Sequence, residues 1–150
     1  QNMRDACGGR PGDSPEVDAQ YRERSPLTYL ANVGELPLDL GHGIHDGHTG
    51  SVPIRHSLDA FNAVVKGHVA AGQPDATITE DEIQQLSQRN GRLKAPKEGD
   101  ELHDKAWGRQ IYLRRQSGNT RVSIFEGGHE GLPAAMMDWF MKHGGKDVNE

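Results

Sequence analysis

Two stretches of this chain follow one plan, an apolar run, a glycine-rich loop and an amphipathic segment, and that plan constrains the fold more than any other feature. In the first stretch Leu36, Leu38 and Leu40 alternate with Pro37 and Asp39, the period of a half-buried strand, and Pro37 confines that strand to its beginning or to a sheet edge. The loop GHGIHDGHTGSVP follows, and then Leu58, Phe61, Val65 and Val69 recur at helical spacing. In the second stretch Gln110 to Arg114 and Arg121 to Phe125 flank the turn residues Ser117, Gly118 and Asn119, which predicts a hairpin. The loop GGHEGLP then leads into a final helix with Pro133 in its first turn and Leu132, Met136, Trp139 and Phe140 on one face. Strands feeding helices in this way predict an α/β fold.

The rest of the chain is weaker in pattern. Asn2 to Pro26, with CGGRPGDSP at its centre, reads as a long loop, and Ser25-Pro26 opens a short helical turn over Leu27 to Leu30, so that residues 1–35 form a loop-rich lead-in. Residues 36–71 hold the first strand, loop and helix. In 72–108, Thr79-Glu80-Asp81-Glu82 has the form of a capping box, with Ile83 and Leu86 on one helix face and Gly91 as a stop. Residues 92–106 are charged and read as an exposed connection, and 72–108, longer than a usual helix-to-strand connection, is expected to be a polar insertion with its own helix. Residues 109–143 carry the last strands, loop and helix, and KHGGKDVNE reads as a frayed tail.

Composition narrows the function classes. Leu, Ile, Val and Phe supply 28 of 150 residues, a thin core for one domain. No apolar run reaches the roughly 18 residues of a membrane span. With 17 Lys and Arg against 22 Asp and Glu, a net charge of −5, and no basic stripe, the chain is not expected to bind nucleic acid. The single Cys7 excludes an intrachain disulfide and a cysteine-based zinc site while leaving the compartment open. QNMRDACGG has neither an initiator Met at its head nor a signal-peptide pattern, so Gln1 is not expected to be the natural start of the gene product.

Two residues stand where chemistry is commonly built. Asp46 follows the first strand and His129 follows the last, each in a strand-to-helix loop, and in open α/β sheets such loops line the ligand crevice. An imidazole there can take a proton from a nucleophile, and a carboxylate can hold its tautomer and stabilise the imidazolium. By residue type alone, an Asp in a glycine-rich turn is usually a turn former and a lone His usually a surface or structural group. His42, His45 and His48, with Asp46 among them, form a second cluster of metal-ligand type, although in a loop their spacing places them on no common face. Glu126 and Glu130 flank His129 and either tune it or are solvated. His68 falls on the apolar side of its helix as a satisfied, partly buried imidazole, and His56 reads as a cap or surface group.

The segment DLGHGIHDGHTGSVPIRHSLDAFNAVV resembles the carboxyl-terminal signature of α/β-hydrolases of the prolyl oligopeptidase (S9) type, through His42-Gly43, Asp46, Val52-Pro53 and His56-Ser57. RVSIFEGGHEGLPAAMMDWF is similar to the family's last strand, catalytic-histidine loop and final helix, and YRERSPLTYL resembles the segment before the Asp-bearing strand. The three blocks keep the family's order and together comprise 57 of the 150 residues. The resemblance implies the carboxyl-terminal half of a hydrolase sheet, three or so strands with flanking helices, with Asp46 as triad acid and His129 as triad base. It implies no cofactor and no metal, and a peptide or an ester as substrate. The five residues GHTGS between Asp46 and Val52 enlarge the acid loop relative to the family pattern.

The nucleophile of such a triad is not in this chain. Triads of this fold run Ser, then Asp or Glu, then His, with the Ser in a G-x-S-x-G elbow. Only Ser14 and Ser25 precede Asp46, and neither has that motif. The expectation is therefore a partial catalytic domain whose amino-terminal half is supplied in cis or in trans. The alternatives are a noncatalytic hydrolase-like association module, one subunit of a split enzyme, or a metal-binding protein built on the histidine loop.

Overall fold

In the computed structural model, residues 2–144 are described. They form a four-stranded mixed sheet flanked by helices, in the chain order α1 (Met3–Cys7), α2 (Pro15–Arg24), β1 (Leu38–Gly43), α3 (Arg55–Ala70), α4 (Glu80–Leu86), β2 (Leu102–Asp104), β3 (Arg109–Ser117), β4 (Thr120–Phe125) and α5 (Pro133–His143). The strand order is β1-β4-β3-β2, with β1 and β4 parallel and the other pairs antiparallel. The α/β class expected from the sequence is present. Among the described residues β1 has a partner on one side only.

Alternation distributes the two faces of the sheet. Leu58, Phe61 and Val65 of α3 and Ile83 and Leu86 of α4 pack with Leu113, Val122 and Ile124 on one face. On the other, Ala135 of α5 packs with Trp107, Ile111 and Phe125. The hairpin pairs Ile111 with Phe125 and Leu113 with Ile124, so Tyr112 is an extra residue on β3. Such a bulge turns the strand's parity. Ile111 thereby stays with Phe125 while Leu113 joins the α3 face, and Tyr112 packs against that same face.

Several local expectations need correction. The segment 2–26 is not a long loop: Asn2 caps α1 and Ser14 caps α2, with Pro15 in the first turn of α2. Capping oxygens satisfy free amides at a helix start, and α2 forms without burying a residue, so no apolar period announces it. The first strand is shifted to 38–43, leaving Leu36 exposed. In α3, Val64 is buried and Val69 is exposed. The short helical turn exists as two 3-10 turns, Pro26–Thr28 and Leu30–Asn32, and a Cβ on Gly67 of α3 would meet Ala31 O at 1.9 Å, so this turn lies directly on the helix.

The segment 92–106 is more than an exposed connection. It contributes the strand β2, the buried Leu93 and the buried Asp100. Arg115 of β3 reaches across to it, with Nη2 donating to Asp100 Oδ2 at 2.9 Å and to Glu82 Oε1 at 2.6 Å. The capping box on α4 is formed as expected, and its Glu82 also meets Arg115. Burial disfavours the Arg115 charge, but the bonds to Glu82 and Asp100 outweigh it and raise its pKa. The helix ends at Leu86, with Gly91 beyond it. At the other end, Trp139 is buried but Met136 and Phe140 are exposed, so α5 does not cover its whole apolar face. The tail after Gly144 lies outside the described residues.

Candidate active site

The parallel pairing of β1 with β4 brings the site together. Gly43 and Phe125 are register partners, so the loops after the two strands leave the sheet at one level. Backbone bonds then bind one loop to the other: Ile44 N donates to Phe125 O at 2.8 Å and His45 N to Gly127 O at 3.0 Å. This approach requires glycine. A Cβ on Gly43 would lie 2.2 Å from Gly128 O.

Asp46 and His129 meet across these loops, with His129 Nδ1 donating to Asp46 Oδ2 at 2.7 Å. The other carboxylate oxygen, Oδ1, accepts from Gly47 N at 2.8 Å and Val52 N at 3.2 Å. The loop 47–52 thus folds back over the carboxylate, and Gly50 sits so close that a Cβ there would touch Asp46 Oδ1. Burial by itself would raise the Asp46 pKa, but the bonds from His129, Val52 and Gly47 outweigh it and hold the carboxyl below its ordinary value. Asp46 is therefore ionised at neutral pH and accepts from Nδ1–H of His129, which turns Nε2 outward as the second ring nitrogen. His129 is 64% exposed against 5% for Asp46. It lines a cleft of about 320 Å³ with Gly41, His42, Val52 and Gly131. A buried ionised carboxylate behind an exposed imidazole can support proton transfer at the outer nitrogen.

The three loop histidines do not converge. His42 is buried, with Nδ1 2.8 Å from Ser57 Oγ and Nε2 3.2 Å from Val52 O. A carbonyl only accepts, so Nε2 donates to Val52 O and Ser57 Oγ donates to Nδ1. Burial lowers the His42 pKa, partly offset by Asp46, whose Oδ2 is 3.8 Å away, and by the Val52 carbonyl. His45 points to Glu126, with Nε2 2.6 Å from Oε1. His48 is exposed. Among the described residues no group of three or more His, Cys, Asp or Glu is arranged to hold a metal ion. A loop has no repeating face, so the spacing of three does not bring the rings together.

Other candidates fall as follows. His68 is buried and satisfied by Ser117 Oγ and Gly34 O, and His56 is exposed, both as expected. Glu130 pairs with Arg109 at 3.0 Å. Glu126 is tied to both His45 and Tyr112 rather than simply solvated. The pairing of His42 with Ser57 joins two residues of the family-like signature 15 positions apart, with no periodic signal to announce it. Among the described residues no serine hydroxyl bonds to His129.

Comparison with protein-family models, with curated proteins and with solved structures returned no match.

Proposed function

We propose that this chain is the carboxyl-terminal part of a serine hydrolase, a peptidase or esterase of S9-like type, in which an upstream segment supplies the nucleophilic serine. The observation that carries the proposal is the 2.7 Å bond from His129 Nδ1 to a buried Asp46 whose second oxygen is held by two backbone amides. In this reading His129 Nε2 takes the serine proton as Oγ attacks the carbonyl carbon, and Asp46 stabilises the imidazolium without being protonated. His129 then returns the proton to the leaving amine or alcohol, and a water molecule repeats the cycle to release the acid. No cofactor is required. Oxyanion donors would come from backbone outside this chain.

Two features support an upstream segment. The outer side of β1 has no strand among the described residues. Beside it lies a groove of about 390 Å³ lined by Leu38, Trp107, Phe125, Leu132, Trp139 and Phe140. A neighbouring strand and helix would cover both, and a thin core is what one part of a larger sheet would have. The segment 72–108 is in this reading an insertion between helix and strand, anchored by Arg115.

The test is the coding sequence upstream of Gln1 and the protein it specifies. An elbow of G-x-S-x-G form between a strand and a helix is expected there, and the extended protein should hydrolyse activated esters or peptide anilides and be inactivated by a serine-reactive phosphonate. The 150-residue chain alone should do neither. A start codon directly before Gln1 would instead support the second reading, an association module or split-enzyme subunit, which the open β1 edge favours equally.

A further inference from the structure

Asp46 and His129 stand on two loops, and one further pair of side chains spans those same loops. His45, next to Asp46, donates from Nε2 to Glu126 Oε1 at 2.6 Å, and Glu126 stands three residues before His129. The second Glu126 oxygen accepts from Tyr112 Oη at 2.5 Å. Tyr112 is the extra residue of the β3 bulge, turned by it towards this point, and bulges beside sites commonly re-aim a side chain in this way. The Arg92 guanidinium lies 3.5 Å over the Tyr112 ring, and its Nη2 is 3.7 Å from Glu126 Oε2. Both carboxylate oxygens are thus occupied by donors from different elements. Burial and the adjacent Glu126 raise the Tyr112 pKa, so its hydroxyl stays a donor. The bonds from Tyr112 and His45 hold Glu126 ionised below the usual carboxylate range.

We propose that Glu126 is a positioning residue for the Asp46–His129 pair, clamping the acid loop through His45 to the base loop and anchoring both on Tyr112. This deepens the hydrolase reading above and rests on it. Glu126 does not face the reacting atoms. Its effect reaches them through the separation of the two loops, which sets whether His129 Nδ1 stays within bonding distance of Asp46. Charge-assisted bonds of this kind are stronger than neutral ones, and two of them converge on one carboxylate.

The experiment reads the tautomer of neutral His129 by ¹⁵N chemical shifts in the full 150-residue chain, with the melting temperature followed in parallel. In the wild-type chain Nδ1–H predominates, and Asp46→Asn lowers the Nδ1–H to Nε2–H ratio because an amide can supply either a donor or an acceptor. Glu126→Gln keeps shape but loses one acceptor oxygen, and should lower that ratio about threefold in the folded protein. Tyr112→Phe frees one Glu126 oxygen, should lower the ratio by less, and serves as the second variant if Glu126→Gln does not fold. A fall in melting temperature with an unchanged tautomer ratio in the folded variants makes Glu126 merely structural and overturns the proposal. If Asp46→Asn leaves the ratio unchanged, the Asp46–His129 pair itself fails, and the hydrolase reading with it. If Asp46→Asn lowers the ratio and neither Glu126→Gln nor Tyr112→Phe does, only the clamp fails.

Discussion

His129 and Asp46 share a 2.7 Å hydrogen bond across a steep gradient of solvent access, the imidazole 64% exposed and the carboxylate 5%. The exposed partner is the one that would meet substrate, and the buried partner is the one whose orientation the backbone holds. In the chain extended to its serine, Asp46→Asn should leave the fold intact and lower kcat by about 10³–10⁴-fold, because the His129 tautomer is lost. Steady-state ester hydrolysis measures it, and full activity in this variant would refute the triad assignment.

Gly43 has no room for a side chain beneath Gly127 and Gly128. Gly43→Ala must push the two loops apart, with an expected loss of about 1–3 kcal/mol as overpacking and a weakened Asp46–His129 bond. Urea unfolding gives the first quantity and the His129 ¹⁵N shifts give the second. A variant as stable as wild type would contradict the described approach of the loops.

Arg115 holds Glu82 and Asp100 at the sheet face, with Asp100 2% exposed. Arg115→Ala should destabilise by about 3–5 kcal/mol, because Asp100 is left buried and unpaired. A loss below about 1 kcal/mol in urea unfolding would show that the network is not a fixed anchor.

The same network sets an acid response. The bonds from Arg115, with those from Thr79 and against burial, carry the Glu82 pKa down from 4.5 to about 2. A group depressed on folding contributes its stabilisation in full above its unfolded pKa and loses it as pH falls towards the folded value. Wild-type stability should therefore decline between about pH 4.5 and pH 2, and Glu82→Gln should flatten that part of the decline. Equal slopes for the two proteins in pH-resolved melts would exclude Glu82 as the source.

Met136, Met137, Phe140 and Met141 are each more than half exposed on α5. Such a contiguous apolar face, beside a strand edge with no partner among the described residues, favours association. The 150-residue chain should self-associate at micromolar concentration, and Met137→Glu with Phe140→Glu should return it towards monomer. Sedimentation velocity decides, and a wild-type chain monomeric at about 100 μM would count against an uncovered interface.

Much of the architecture was legible because it depends on local periodicity. The hairpin at Gly118-Asn119, the α3 stripe of Leu58, Phe61 and Val65, and the Thr79 capping box follow from neighbours in sequence. The two amino-terminal helices were missed because short capped helices with few buried residues leave no apolar period. For the site, strand-to-helix placement marked Asp46 and His129, whereas Ser57, Tyr112 and Glu126 took their partners only through folding. The spacing of His42, His45 and His48 suggested a cluster that the loop disperses.

What the sequence by itself determined is a set of local preferences: where strands and helices run, which loops are glycine-rich, and that neither serine between Gln1 and Asp46 has an elbow motif. The tertiary structure decided the rest. Parallel pairing of β1 with β4 and the approach of Gly43 to Gly128 bring residues 83 positions apart to 2.7 Å, and the bulge at Tyr112 aims a third element at the same loops. Periodicity constrains only the few residues of a single element. Contact between loops depends on strand register and on packing, which are properties of the whole sheet.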